Sequence, residues 1–550
     1  MNKKILIYQI FTRLYGNTNT TRKPQGTIEE NGCGKLNDFT PTVLKQIRAK
    51  GVTHVWYTGV IRHATMTDYT QYGIPRQHPA VVKGRAGSPY AIADYYDIDP
   101  DLAVDVEKRM DEFEKLVART HRAGMKVIID FVPNHVARQY HSICKPKGVV
   151  DLGEDDDPQC GFNPIRNNFY YCPGEAFTPY FDLYHGEKQP YHEEPAKATG
   201  NDCFCNAPGQ NDWYETVKLN YGVDYYAGGV GHFDPIPDTW LKMTDILLFW
   251  ASKGIDGFRC DMAEMVPAAF WSYATRQVKA QYPDLLFIGE VYNPQQYRNY
   301  IAAGFDYLYD KVGMYDVLRD ITCHRRGTGD ITQSWQHTED ILQHMLYFLE
   351  NHDEQRIASD FFAADGFKVV PALIVAALLE KNPFMYYAGQ EFGERGMDQE
   401  GFSGCDGRTT IFDYWSVDTL TRAAQGQLTP QEQALATLYQ QVLTIAQKEK
   451  AVTDGQMFDL MYANPQYGAQ YAFFRSTARS LLLVVVNFDD VAANIQLTIP
   501  AHAFDYLGIS EQDTTATDLL TNTPVPVSLH RDVATSLAIH ARGGMVLKIK

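Results

Sequence analysis

The chain has 550 residues, 45% hydrophobic and 21% charged, the composition of a soluble globular protein too long for one core. A formal net charge of −17 speaks against a nucleic-acid partner, which would require a basic patch. No apolar run approaches the ~20 residues that span a membrane.

In chain order, Met1-Asn2-Lys3-Lys4 followed by apolar Ile5 to Phe11 imitates a signal peptide. Gln9 interrupts the run, Arg13 follows it, and no small-x-small cleavage site appears, so a first strand explains it better. Without a secretion signal, a cytoplasmic location and reduced thiols are expected. The nine cysteines are an odd number. Cys144, Cys160, Cys172, Cys203 and Cys205 share one segment, but none forms a CxxC pair, so thiols are expected there rather than zinc.

After the first strand one pattern recurs: an amphipathic helix, a glycine, then a short apolar strand. Val43, Leu44 and Ile47 precede Gly51 and Val52–Tyr57. Met110, Phe113, Leu116 and Val117 precede Gly124 and Lys126–Val132. Met243, Ile246, Leu247 and Trp250 precede Gly254 and the stretch Ile255 to Glu264. Gly304 precedes Phe305–Leu308, and a helix around Ala372–Glu380 precedes Lys381-Asn382 and Pro383–Tyr387. Glycine or asparagine just past a helix supplies a left-handed cap. With Ile5–Ile10, Leu286–Glu290 and Met345–Leu349 the strands number eight. Strands alternating with helices pair in parallel, so the expected fold is an α/β (β/α)8 TIM barrel. An open doubly wound sheet is the alternative, but no G-x-G-x-x-G follows the first strand.

About a hundred residues between the third strand and the helix near Pro237 are too many for a bare loop. They are expected to form an inserted subdomain, 136–235, within a catalytic barrel made of 1–135 and 236–450. Thr429-Pro430-Gln431-Glu432 is a capping box that opens a helix reaching about Lys448. Beyond it Tyr471–Arg475, Leu481–Val486, Ile495–Ile499, Ser536–His540 and Met545–Ile549 read as strands of a C-terminal all-β sandwich, 451–550.

In such a barrel the active site lies at the C-terminal strand ends. The third strand ends in Asp130 and Asn134-His135, the fourth in Arg259 and Asp261, the fifth in Glu290, and the seventh in Glu350-Asn351-His352-Asp353. Arg259 and Asp261, two apart, face one side, and a cation there favours the ionised carboxylate of a nucleophile. Glu290 follows Phe287, Ile288 and Gly289, and a less polar setting would keep it protonated. Two carboxylates in these two states suit glycoside hydrolysis. A metal site would more usually show H-x-H or H-E-x-x-H, and neither occurs here.

Asp130–His135, Gly257–Asp261, Ile288–Glu290 and Glu350–Asp353 together resemble the four ordered signature regions of the α-amylase family of glycoside hydrolases (family 13). The resemblance covers the whole chain. It implies a retaining glycosidase cleaving α-1,4-glucosidic bonds of maltodextrins or starch-type α-glucans. Asp261 is then the nucleophile, Glu290 the acid/base, and Asp353 the residue gripping the ring hydroxyls. Arg259 orients Asp261, Asp130 anchors Arg259, and His135 and His352 bind sugar hydroxyls. Tyr90, in Ser88–Tyr95, matches the aromatic ring that stacks on the sugar. The same scaffold also serves 4-α-glucanotransferases and other transglycosylases, and catalytically dead binding subunits that have lost a carboxylate; all three carboxylates are present here. Asn134 matches a calcium-ligand position. The Lys-His that accompanies it in calcium-dependent members is replaced by Met262-Ala263-Glu264-Met265, so no cofactor is required by the resemblance.

Overall fold

A computed structural model describes residues 4–181, 189–396 and 405–549. Met1–Lys3 of the signal-peptide reading lie outside them. Eight parallel strands close a barrel. They are β1 Leu6–Phe11, β2 His54–Thr58, β3 Lys126–Phe131 and β4 Gly257–Cys260. β5 is Leu286–Gly289, β6 Tyr307–Tyr309, β7 Met345–Phe348 and β8 Phe384–Tyr387. Each pairs with its sequence neighbour, and β8 closes on β1 through Leu6 opposite Phe384. Every expected barrel strand is present, shifted by one or two residues at its ends.

The helix–glycine–strand pattern has a visible cause. Helix Asp238–Ser252 buries Trp240, Met243, Ile246, Leu247 and Trp250 against the barrel, and Trp250 Nε1 donates to Tyr95 O at 2.7 Å. Burying each such side chain contributes about 1.5–3 kcal/mol. Gly254 then reverses the chain at φ +83° and delivers it to β4. Asn382 does not act as the expected left-handed cap: it is not among the positive-φ residues. Its Nδ2 instead donates to Met345 O at 2.7 Å and ties the start of β8 to the start of β7. Helix Val370–Leu378 before it is buried on all sides, as a helix apolar all round requires.

Among its described residues the β3–β4 connection carries short strand pairs, such as His135–Ala137 with Thr216–Lys218 and Tyr171–Cys172 with Ala196–Lys197. Cys144, Cys160, Cys172, Cys203 and Cys205 are thiols; the Sγ atoms of Cys203 and Cys205 lie 3.4 Å apart. The capping box at Thr429 and Glu432 forms and starts helix Pro430–Lys448.

The strands of the C-terminal part pair antiparallel, and the expected all-β character is interrupted by a short helix, Ala501–Leu507. One sheet has six strands in the order Gln456–Asp459, Gln470–Thr477, Ser480–Asn487, Gly543–Ile549, Gln512–Asp518, Thr523–Leu529. A second pairs Ala493–Thr498 with Ala534–Ile539. Among the described residues no helix is long and apolar enough to cross a membrane.

Candidate active site

The four signature regions meet at the C-terminal rim of the barrel. Main-chain bonds continue the ladder one residue past the strands: Asp261 N donates to Phe131 O at 2.9 Å and Glu290 N to Cys260 O at 3.1 Å. This holds the two carboxyl-bearing residues side by side.

Arg259 is the hub. Its Nη1 lies 2.8 Å from Asp261 Oδ1 and 3.2 Å from Asp130 Oδ1, and its Nη2 lies 2.7 Å from Glu290 Oε2. Nε donates to Tyr309 Oη at 3.2 Å, and Trp56 Nε1 donates to Asp130 Oδ2 at 3.0 Å. The side chain of Arg259 is 1% exposed, so its charge must be met inside the protein. The expected anchoring by Asp130 is thus seen, together with a contact to Glu290 that strand spacing did not suggest.

Three buried carboxyls around one guanidinium cannot all shed their protons cheaply. Burial pushes the Asp261 carboxyl well above the ordinary carboxylate range. Arg259 opposes this, while Glu290, Asp353 and Asp130 add to it. Burial raises Asp130 as well, against Arg259 and His352. The Arg259–Asp261 pair forms as its spacing suggests, and its pull toward the carboxylate is outweighed by burial.

Glu290 also differs from expectation. Its setting is polar: Tyr292 Oη donates to Oε1 at 2.6 Å and Met262 N to Oε2 at 2.8 Å, alongside Arg259. The apolar residues before it in sequence lie lower in β5, and what surrounds a rim residue comes from neighbouring strands and loops. Met262 reaches this position in a left-handed conformation, φ +43°.

Asp353 is part exposed, its side chain 39% accessible. Burial works against its anion, but His352 beside it, with Arg259 and Arg408, wins and holds the carboxyl down to about 2. His352 Nε2 is 3.0 Å from Asp353 Oδ2 and also meets Tyr90 Oη, while Nδ1 faces Gln9 Nε2 at 2.7 Å. The Tyr90 ring stacks on His352, centroids 5.2 Å apart.

A cavity of about 260 Å³ opens over these groups. Tyr90, His135, Asp261, Glu290 and Asp353 line it. Arg259 and His352 stand behind that wall and hold its members in place. Lys83, Trp213, Tyr292 and Phe412 also line it and were not singled out from sequence. Trp213 lies in the β3–β4 connection, and its ring packs against His135 at 5.2 Å. A larger hollow of about 590 Å³, beside the C-terminal sheet near Trp335 and Tyr506, contains none of the signature residues.

Asn134, the calcium candidate, has both ends of its amide engaged: Oδ1 with Lys218 Nζ at 2.5 Å and Nδ2 with Gly200 O at 2.7 Å. Among the described residues, one trio of acidic, His or Cys side chains comes close enough to share an ion: Asp94, Asp97 and Cys144. Arg62 already pairs with Asp94 at 3.1 Å, and Arg109 with Asp97 at 2.6 Å.

Comparison with known proteins agrees with this geometry. The family model for the α-amylase catalytic domain matches residues 9–450. Neopullulanase 2 of Thermoactinomyces vulgaris is 24% identical over 419 residues, 72% of this chain and 57% of that protein. A cyclomaltodextrin glucanotransferase of Geobacillus stearothermophilus is 22% identical over 409 residues, 70% of this chain and 49% of that protein. The match thus spans about half the length of these two curated relatives. The solved structure of an α-amylase from Geobacillus thermoleovorans, complexed with acarbose, superposes with a TM-score of 0.65 at 18% identity, covering 100% of this chain and 99% of that one. Barrel, ordered rim motifs and family match together show that the chain belongs to the α-amylase family.

Proposed function

We propose that this protein is a retaining glycosidase that cleaves α-1,4-glucosidic bonds of maltodextrin-type glucans in the cytoplasm. The observation that carries the reading is the convergence of Asp261, Glu290 and Asp353 on one cavity, with Arg259 bridging the first two from behind. The cluster of one guanidinium and three buried carboxyls favours keeping a proton. Double displacement needs that proton on Glu290 and the negative charge on Asp261. Asp261 then attacks the anomeric carbon while the Glu290 proton passes to the departing glycosidic oxygen. Glu290, now a base, takes a proton from water. That water attacks the anomeric carbon, and the bond to Asp261 breaks. Asp353, ionised down to about pH 2, accepts hydrogen bonds from ring hydroxyls at any working pH. Tyr90 offers an aromatic face to the sugar, and His352 fixes Tyr90 and Asp353 together.

A glucanotransferase shares every step up to the attack on the intermediate, and one of the relatives carries that name. A product-length profile from a linear maltodextrin of single chain length, with anomers followed by NMR, separates the two. Only shorter products, released as α-anomers, are expected. Products longer than the substrate would replace hydrolysis by transfer, and β-anomers would end the retaining mechanism.

A further inference from the structure

Lys218 stands directly opposite His135 on the short antiparallel ladder of His135–Ala137 and Thr216–Lys218. Its side chain is 2% exposed. The ammonium lies 2.5 Å from Asn134 Oδ1, 2.6 Å from Asp202 Oδ1 and 3.4 Å from Met265 O, with the Tyr225 ring 5.4 Å away. These three oxygens come from three places: the end of β3, the β3–β4 connection, and the turn that follows Asp261.

An amide oxygen, a carboxylate oxygen and a main-chain carbonyl form the kind of hard-oxygen set that holds calcium. Here the set surrounds an ammonium with three N–H donors for three acceptors. A buried ammonium is costly without such partners. Burial does lower the pKa of Lys218, and the Asp202 carboxylate counters that. A divalent ion drawn to the same oxygens would have to sit where the ammonium already is, so the residues present do not fit calcium.

The contact also reaches the cavity. Lys218 takes the oxygen end of the Asn134 amide, which turns Nδ2 toward Gly200 O and toward His135 Nδ1 at 3.1 Å. An amide N–H donates, so Nδ1 accepts and the imidazole proton sits on Nε2. Burial, then the charges of Lys218 and Lys83, lower His135 to about 3, which keeps the ring neutral. Glycine is needed at 200 because a Cβ there would come within 2.9 Å of the His135 side chain.

We propose that the Lys218 ammonium takes the place of a divalent cation: it ties the β3–β4 connection to the barrel rim and positions His135, and the protein needs no calcium for stability or turnover. Lys218 is thus a positioning residue for the cavity.

The full-length protein is stripped with EGTA and compared, in EGTA and in excess CaCl2, by thermal melting and by steady-state kinetics. Equal Tm and equal kcat/KM in the two buffers are expected. A Tm that falls on chelation and is restored by calcium overturns the proposal. Lys218→Met keeps the length of the side chain and removes the charge. Its Tm is expected to fall by about 5 °C, and kcat/KM by about tenfold, mostly through KM. An unchanged Tm, or a loss confined to kcat, overturns the positioning role. Should Lys218→Met fail to fold, Asp202→Asn weakens the same contact from its more exposed end. A smaller fall in Tm with a raised KM is then expected, and no change in either overturns the proposal. Melting needs no substrate, so failure of the α-glucan reading and failure of this one give different results.

Discussion

Asp261 and Asp353 both sit on the cavity wall, yet their environments drive them apart. Burial raises Asp261 well above the usual carboxylate range, with Arg259 opposing. Asp353, next to His352, is held down to about 2 despite burial. A nucleophile works only as the anion, so activity must rise with pH as the Asp261 cluster loses its proton. The acid limb of kcat/KM is therefore expected above the ordinary Asp value of ~3.9, and a pH–rate profile measures it. A limb near pH 2 would mean that Asp353, not Asp261, controls the reaction. The carboxylates, Arg259 and both histidines were legible because each ends a barrel strand in a recognisable motif. Lys83, Trp213, Tyr292 and Lys218 were not. They reach the site through loops or the long connection, where sequence position says little about direction. The polar setting of Glu290 was hidden for a related reason: its partners Arg259 and Met262 belong to another strand and its following turn.

The left-handed glycine that precedes β2, β3, β4 and β6 is an element-scale requirement that can be isolated at Gly254. It adopts φ +83°, and a Cβ there would meet nothing nearer than Val117 Cγ1 at 3.9 Å. Gly254→Ala therefore adds backbone strain and almost no clash. It is expected to cost about 1 kcal/mol in a urea melt, with kcat/KM nearly unchanged, because β4 remains paired on both sides through Arg259 opposite Asp130 and Ile288. A large loss of activity at unchanged stability would show that the turn feeds directly into the site. Helix–glycine–strand repeats made the barrel readable. Three strands of the C-terminal sheet, Gln456–Asp459, Gln512–Asp518 and Thr523–Leu529, carry no such signal. Gln512–Asp518 is largely polar, and Thr523–Leu529 contains Pro524 and Pro526. Prolines are tolerated there because that strand lies at the sheet edge, a placement that only the assembled sheet shows.

At the scale of the whole molecule, the barrel and the C-terminal sheet are joined by a buried polar contact. Arg475, fully buried in strand Gln470–Thr477, donates to Leu379 O at 2.9 Å, Ala451 O at 3.1 Å, Val452 O at 3.0 Å and Gly455 O at 2.9 Å. It also pairs with Glu380 at 3.1 Å. Arg475→Met strands these acceptors and the Glu380 charge. It is expected to cost about 3–5 kcal/mol and to open the chain near residue 450 to limited proteolysis, without altering the chemistry at the distant rim. Unchanged cleavage and stability would show that the remaining contacts, among them Thr328 Oγ1 to Gln470 O at 2.8 Å and Lys548 to Glu449 at 2.9 Å, join the two parts without Arg475. Cavity size and signature residues part company in this molecule: the 590 Å³ hollow beside the C-terminal sheet exceeds the 260 Å³ cavity that the signature carboxylates line.

The central claim is that Asp261 forms a covalent bond to the sugar. Fluoride leaves without a proton, so an α-glucosyl fluoride can still load Asp261 when Glu290→Gln has removed the base that would activate water. Peptide mass spectrometry of that variant after incubation with the fluoride tests the claim most directly. One glycosyl unit attached to the peptide is expected, with fragmentation placing it on Asp261. An unmodified Asp261, or an adduct on Glu350, Asp353 or any other carboxylate, would contradict it.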